Sequence, residues 1–230
     1  MKIVALLPMK ANSERVQGKN FKIFGTKPLF RWVLDSLLSV DEIDRVIINT
    51  DARSKLEENH LVDSNRILIR DRKDELCGDL VSMNLIIGDD VNNIDADIYL
   101  MTHTTNPFLS SKSIKNALDE FKQSLMSNNS DSLFTVNKIQ TRFYDANRKP
   151  INHNPNILSR TQDLEPWYEE NSNLYLFTKK SFLETKARIG SNPIMFETPL
   201  HESIDIDTQD DWDLAEIMIK YFESKTEKTI

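Results

Sequence analysis

Short apolar runs alternate with stretches of helical periodicity along the first half of the chain. Residues 3–7 read Ile-Val-Ala-Leu-Leu, an unbroken apolar run of strand length, and residues 28–40 carry apolar positions three and four apart. A strand over 45–48 follows, then a polar helix over 53–60, a strand over 66–69, a helix over 81–91 and a strand over 97–101 that ends in the polar turn 102–107. Ser110 or Ser111 caps the next helix, whose Ile114, Ala117, Leu118, Phe121 and Leu125 fall on one face. Strands with little apolar–polar alternation, separated by amphipathic helices, predict an α/β fold with a mostly parallel sheet covered by helices on both faces.

After residues 128–130 the rhythm changes. Residues 133–136 read as a strand, but 138–170 show no helical periodicity and hold the turn formers 145–147 and 152–155, which predicts a small inserted β-rich lobe. Strand pattern returns at 173–177, helix at 179–188, and two further strands at 194–196 and 204–207. Thr208, with Asp211 three residues on, caps a last helix with Trp212, Ala215, Ile219 and Phe222 on its inner face, and the charged tail from Ser224 is expected to fray. No linker or repeat divides the chain, so residues 1–230 read as one domain.

Bulk properties narrow the partners. At 39% hydrophobic content 230 residues suffice for a sizeable core, and a net charge of −7 disfavours nonspecific binding to nucleic acid or an anionic membrane surface. The five apolar residues after Met1-Lys2 are too few for a secretory core, and no run of membrane-spanning length occurs, which predicts a cytoplasmic protein. The single cysteine, Cys77, excludes an intramolecular disulfide and a multi-cysteine zinc cage, and reads as a small filler.

Any anion must therefore be met locally, and residues 8–20 offer the place. Lys10, Arg15 and Lys19 sit in a polar loop directly after the first strand, where open α/β sheets bind ligands, and three cations there suit phosphate. A second signal lies near the other end, in Ser203-Ile204-Asp205-Ile206-Asp207-Thr208. Two carboxylates two apart on a strand point the same way and can share a metal ion. Taken singly, loop cations are mostly solvated and paired aspartates often only cap a helix. Taken together they suggest nucleotidyl chemistry.

The loop Leu7-Pro8-Met9-Lys10-Ala11-Asn12-Ser13-Glu14-Arg15-Val16-Gln17-Gly18-Lys19-Asn20 resembles the N-terminal signature of the acylneuraminate and Kdo cytidylyltransferases. Arg72-Lys73-Asp74-Glu75-Leu76-Cys77-Gly78-Asp79 is similar to that family's Arg-Pro-x-Glu-Leu-Ala-x-Asp, and residues 101–108 sit where it has Leu-Gln-Pro-Thr-Ser-Pro-Leu. Asn171-Ser172-Asn173-Leu174-Tyr175 resembles its Asn-Gly-Ala-Ile-Tyr, and Asp205-Ile206-Asp207-Thr208 its metal-binding Asp-x-Asp-Thr. These blocks stand in the family's order and cover nearly the whole chain.

The resemblance implies a Rossmann-like nucleotidyltransferase fold, a homodimer with the lobe at its interface, and transfer of CMP from CTP to the anomeric hydroxyl of a nonulosonic-type sugar acid with release of pyrophosphate. On that resemblance Arg15, Lys19 and Asp207 serve catalysis, and Lys10, Ser13, Arg15, Lys19, Asn20, Arg72 and Asp79 bind the nucleotide. His103, Arg160, Gln162, Asn171 and Tyr175 face the sugar, and Asp205 and Asp207 hold Mg²⁺. Arg160 is chosen because a guanidinium fork matches the sugar carboxylate. The chain departs from the pattern at Lys10, where arginine is usual, and at Ala11-Asn12-Ser13-Glu14, where many relatives carry Gly-Gly-Ser-Lys. Glu14 is expected to point away from the nucleotide. His103 replaces a glutamine and is a residue that can titrate near neutral pH. Two other readings stay open: a same-fold enzyme acting on a sugar or polyol phosphate, and a noncatalytic nucleotide-binding member.

Overall fold

The computed structural model describes residues 1–227. In chain order the strands are β1 (Ile3–Leu6), β2 (Ile23–Phe24), β3 (Lys27–Pro28), β4 (Arg45–Thr50), β5 (Ile67–Asp71), β6 (Ile98–Thr102), β7 (Ser132–Ile139), β8 (Trp167–Phe177) and β9 (Pro193–Glu197). The helices are α1 (Leu29–Leu38), α2 (Arg53–Glu58), α3 (Met83–Asn93), α4 (Ser111–Met126), α5 (Lys179–Thr185) and α6 (Gln209–Glu227). Seven strands form one sheet in the order β5-β4-β1-β6-β8-β7-β9, parallel except where β8 pairs antiparallel with β6 and β7. None of the described helices is long and apolar enough to cross a membrane.

The unbroken apolar run of β1 has a direct cause. Ile3, Ala5 and Leu7 enter one core cluster with side chains of α1 and α4, while Val4 and Leu6 enter a second with Ile87 and Val91 of α3 and Phe182 of α5. A strand buried on both faces has no polar side to alternate with. From β1 the chain steps outward through β4 to β5, then α3 carries it back past β1 to β6 on the other side. The reversal leaves a crevice beyond the carboxyl ends of β1 and β6, the usual ligand position in open α/β sheets.

Several elements differ from the sequence pattern. A small hairpin, β2–β3, precedes α1; it turns at Gly25, whose φ of 59° is open to glycine, and where a Cβ would press on Ile219 and Trp32 at 3.1 and 3.2 Å. Residues 204–207 are extended but join no sheet; the Ile206 N–H donates to the Thr105 carbonyl at 2.9 Å instead. The helix α6 continues through Glu227 rather than fraying from Ser224, and residues 228–230 lie outside the described residues. Between β7 and β8 the strand structure consists of their paired outer halves, Asn137 to Ile139 against Glu169 to Trp167, and one bridge between Tyr144 and Pro150. The rest of that stretch is turns and a 3-10 segment, Thr161–Asp163.

A third cluster fixes the crevice. Val16 of the opening loop packs with Phe24, Leu29, Ile206, Trp212, Ala215 and Ile219, so one apolar contact holds the loop, the hairpin, residue 206 and α6 together. The α6 cap is the expected one: the Thr208 hydroxyl donates to Asp211 at 2.8 Å and accepts from the Asp211 N–H at 3.2 Å.

Beneath the crevice lies a charged network. Asp90, 1% exposed on α3, accepts from Asn49 at 2.9 Å and pairs with Arg70, which also reaches Asp89 at 2.8 Å. Burial outweighs these partners and lifts the Asp90 carboxyl to about 6. The sign follows: a carboxyl raised on folding contributes stability below its unfolded pKa, and that contribution is lost as pH rises through about 6. Asp90→Asn removes this loss, so the variant is expected to gain stability relative to wild type between about pH 4 and 7, on the order of 3 kcal/mol. Denaturant unfolding at several pH values checks it, and a pH-independent difference would rule the assignment out.

Candidate active site

A cleft of about 570 Å³ occupies the crevice, bordered by the loop after β1, residues 72–86, the turn after β6, Ser172, Arg188, Asp205 and Asp207. The loop is built to present cations. Met9 bridges Thr50 of β4, the Ala11 N–H donates to Asp51 at 2.7 Å, and the Asn20 amide donates to the Lys10 carbonyl at 2.9 Å while accepting from Thr104 at 2.7 Å. Gly18, at φ 62°, reverses the chain into a 3-10 turn that buries Lys19 and Asn20.

Lys19 is the centre of the arrangement. Its ammonium donates to the Ile206 carbonyl and lies 3.2 Å from Asp207, whose other oxygen is 3.0 Å from Arg15. The two signals at opposite ends of the sequence therefore meet on one carboxylate. Asp205 lies beside them, and its Oδ1 is buried with no hydrogen-bond partner among the described residues. Burial raises the Asp205 carboxyl, the Thr105 hydrogen bond opposes that, and the neighbouring Asp207 charge raises it further.

The remaining nucleotide candidates also border the cleft. Lys10 pairs with Asp79 and holds that carboxyl below its usual range. Arg72 donates to the Met9 carbonyl at 3.1 Å and to Asn49 at 2.8 and 3.0 Å, so it braces the start of the loop against β4. Ser13 lines the wall. Glu14, expected to point away, instead borders the cleft together with Asp79. The ion pair of Lys10 with Asp79 ties the loop to residues 78–79.

The sugar candidates divide. His103 is in the cleft, but its surroundings differ from the expectation of a group titrating near neutrality: burial, reinforced by Arg188, holds the imidazole down at about 4. Asn171 and Tyr175 lie beneath the wall. Asn171 donates to Asn137 at 3.0 Å and Thr198 at 2.8 Å, and the Tyr175 hydroxyl donates to Glu170 and accepts from the Ser172 hydroxyl at 3.2 Å. They support a bulge where the β7–β8 register slips between Phe134 and Val136, pushing Ser172, at φ 55°, into the cleft. Arg160 and Gln162 are not brought to the cleft: Arg160 is 71% exposed and makes both of its carboxylate contacts to Asp163, at 2.8 and 2.9 Å, and Gln162 is exposed. Ser172 and Arg188 are cleft residues that the pattern of the chain did not single out; a serine at the glycine position of the Asn-Gly-Ala-Ile-Tyr block is the signal available for the first.

Among the described residues no group of three or more His, Cys, Asp or Glu is arranged to hold a metal ion. Two carboxylates, one with an unpartnered buried oxygen, nevertheless fit a hard cation that takes its other ligands from phosphate oxygens and water.

A family model described as cytidylyltransferase matches residues 4–223. The chain is 26% identical over 231 residues to the pseudaminic acid cytidylyltransferase of Campylobacter jejuni, covering 96% of this chain and 97% of that protein. It is likewise 26% identical over 233 residues to the CMP-N,N'-diacetyllegionaminic acid synthase of Legionella pneumophila, with the same coverage of 96% and 97%. Among solved structures, a CMP:2-keto-3-deoxy-manno-octonic acid synthetase complexed with CTP superposes with a TM-score of 0.66 at 15% identity, covering 96% of this chain and 99% of that one. The 4-diphosphocytidyl-2C-methyl-D-erythritol synthase of Anaerococcus prevotii gives a TM-score of 0.65 at 14% identity over 95% and 96%. At these identities the structural likeness establishes the nucleotidyltransferase fold, and the family match extends over almost the entire sequence. With its cationic loop and acidic pair joined in one cleft, the chain belongs to the cytidylyltransferase family.

Proposed function

We propose that the protein transfers CMP from CTP to the anomeric hydroxyl of a nonulosonic-type sugar acid and releases pyrophosphate. The observation that carries this reading is the meeting of Lys19 and Arg15 with Asp207 at the cleft between β1 and β6. The named relatives, a pseudaminic acid cytidylyltransferase and a diacetyllegionaminic acid synthase, support the acceptor class.

In the reaction the anomeric oxygen forms a bond to the α-phosphorus, the bond from that phosphorus to the bridging oxygen breaks, pyrophosphate departs and the hydroxyl proton is released. Phosphoryl chemistry of this kind depends on positioning and on neutralising charge. Lys19, fixed by two acceptors, offers a cation that needs little reorganisation, and Arg15 and Lys10 meet further phosphate oxygens at the exposed side. Asn20 donates to the Lys10 carbonyl and Ser13 offers its hydroxyl from the cleft wall, while Arg72 and Asp79 hold the loop's shape. Asp205 and Asp207 would hold Mg²⁺, which when bound draws charge from the phosphate oxygens. The same reading carries a cytoplasmic homodimer. Support for the second copy comes from the lobe, where Ile157, Leu158, Trp167 and Tyr168 are 61%, 94%, 40% and 41% exposed.

The first test is pyrophosphate release from CTP and Mg²⁺ with pseudaminic, legionaminic, sialic and Kdo-type acids. Turnover with at least one is expected; none, or turnover only with a phosphorylated acceptor, would overturn the reading. Lys19→Met keeps most of the buried stem and removes the charge, and is expected to lower kcat/KM by about 10²–10³-fold, roughly 3–4 kcal/mol. Unchanged kinetics would remove Lys19 from the chemistry. Asp207→Asn is expected to raise the Mg²⁺ concentration for half-maximal rate about tenfold or more, by analogy with loss of a metal-site partner. A requirement equal to wild type would exclude this residue as a ligand.

A further inference from the structure

We propose that Arg188 binds the carboxylate of the sugar acid, its guanidinium held in place by the face of Tyr175 and the ring of His103; the assignment rests on the function proposed above.

The cations of the cleft fall on two sides. Lys10, Arg15 and Lys19 belong to the loop after β1 and Arg72 to the segment after β5, and each is engaged: Lys10 with Asp79, Arg15 and Lys19 with Asp207, Arg72 with the Met9 carbonyl and Asn49. Arg188 comes from the link between α5 and β9 and borders the cleft from the β8 side, across β6 from that group. An acceptor approaching the α-phosphorus carries its own anion, and a cation on the far wall meets that anion without competing for the triphosphate.

The surroundings of Arg188 suit a carboxylate fork. Its guanidinium carbon lies 3.9 Å from the Tyr175 ring centroid, and Nη1 is 3.3 Å from His103 Nε2. Arginine only donates, so Nε2 accepts and the His103 proton resides on Nδ1. A neutral imidazole adds no competing cation beside the incoming carboxylate. Glu170 is the one carboxylate partner of Arg188 among the described residues, at 3.5 Å, and its Oε1 also accepts from the Tyr175 hydroxyl. The Arg188 side chain is 21% exposed and its guanidinium is stacked on the Tyr175 ring, an arrangement in which a planar fork can bind a carboxylate with two parallel hydrogen bonds. Ser172, lifted by the bulge, lines the same wall.

The experiment compares wild type, Arg188→Ala and Arg188→Lys by initial rates of pyrophosphate release. CTP and sugar acid are varied separately, using the acid of the panel that wild type converts fastest, together with its C1 alcohol in which the carboxylate is reduced. Arg188→Ala is expected to lower kcat/KM for the acid by about 10²-fold while the KM for CTP stays within about twofold, and Arg188→Lys to recover part of the loss. Reducing the carboxylate should cost wild type about 10²-fold and Arg188→Ala little, because the contact is already gone. An equal penalty in both proteins, or an unchanged sugar KM in Arg188→Ala, overturns the assignment while leaving the proposed function standing. Should Arg188→Ala lose its thermal transition, Arg188→Lys carries the same comparison. Failure of wild type to convert any acid overturns both.

Discussion

A buried ammonium has to be satisfied, and the site of this protein is organised around one. The Lys19 side chain is 8% exposed, and removing such a charge from water costs several kcal/mol unless acceptors replace the water. The Ile206 carbonyl and Asp207 do so. Their positions are in turn fixed by apolar packing, since Val16 and Ile206 share a cluster with Trp212 at the first turn of α6. Removing one partner of such a pair typically costs about 3–5 kcal/mol, so the contact also discriminates against other courses of the loop. The cationic corner of the cleft is thus a by-product of satisfying an ammonium inside the fold.

The parallel half of the sheet was readable from the chain because each of its central strands is covered twice, leaving apolar runs without alternation. The hairpin β2–β3 was not, because it has two residues per strand and Ile23 is 59% exposed, which leaves no pattern to detect. Residues 204–207 show why a wrong element can still yield a right juxtaposition. Ile204 and Ile206 alternate with aspartates as a strand would, but their hydrogen bonds go to Thr105 and Asn106 instead of a neighbouring strand. Extended backbone alone puts the two isoleucines with the third cluster and both aspartates at the cleft.

The far wall was less legible. Arg160 suits a carboxylate by its chemistry, yet a carboxylate three residues on, Asp163, takes its fork. Arg188 shows no motif, since its place depends on β6 and β8 being neighbours, which no local pattern encodes. Asn171 and Tyr175 are recognisable as a block but act one layer back. Asn173 donates to the Glu202 carbonyl at 2.8 Å, Thr102 donates to the Asn173 carbonyl at 2.7 Å, and Leu174 donates to Thr135 at 2.9 Å. These bonds hold Ser172 in a left-handed conformation that costs a non-glycine residue about 1–2 kcal/mol.

The separation along the chain between Lys19 and its acceptors, 187 and 188 residues, bears on how the molecule is made. A ribosome adding about 5–20 residues per second needs roughly 10–40 s to travel from one to the other. Throughout that interval Val16, Phe24 and Leu29 lack Ile206 and Trp212, which complete their cluster. A nascent chain halted before Ile206 lacks both the carbonyl and the carboxylate that hold Lys19, so the cationic corner of the cleft belongs to the finished polypeptide alone.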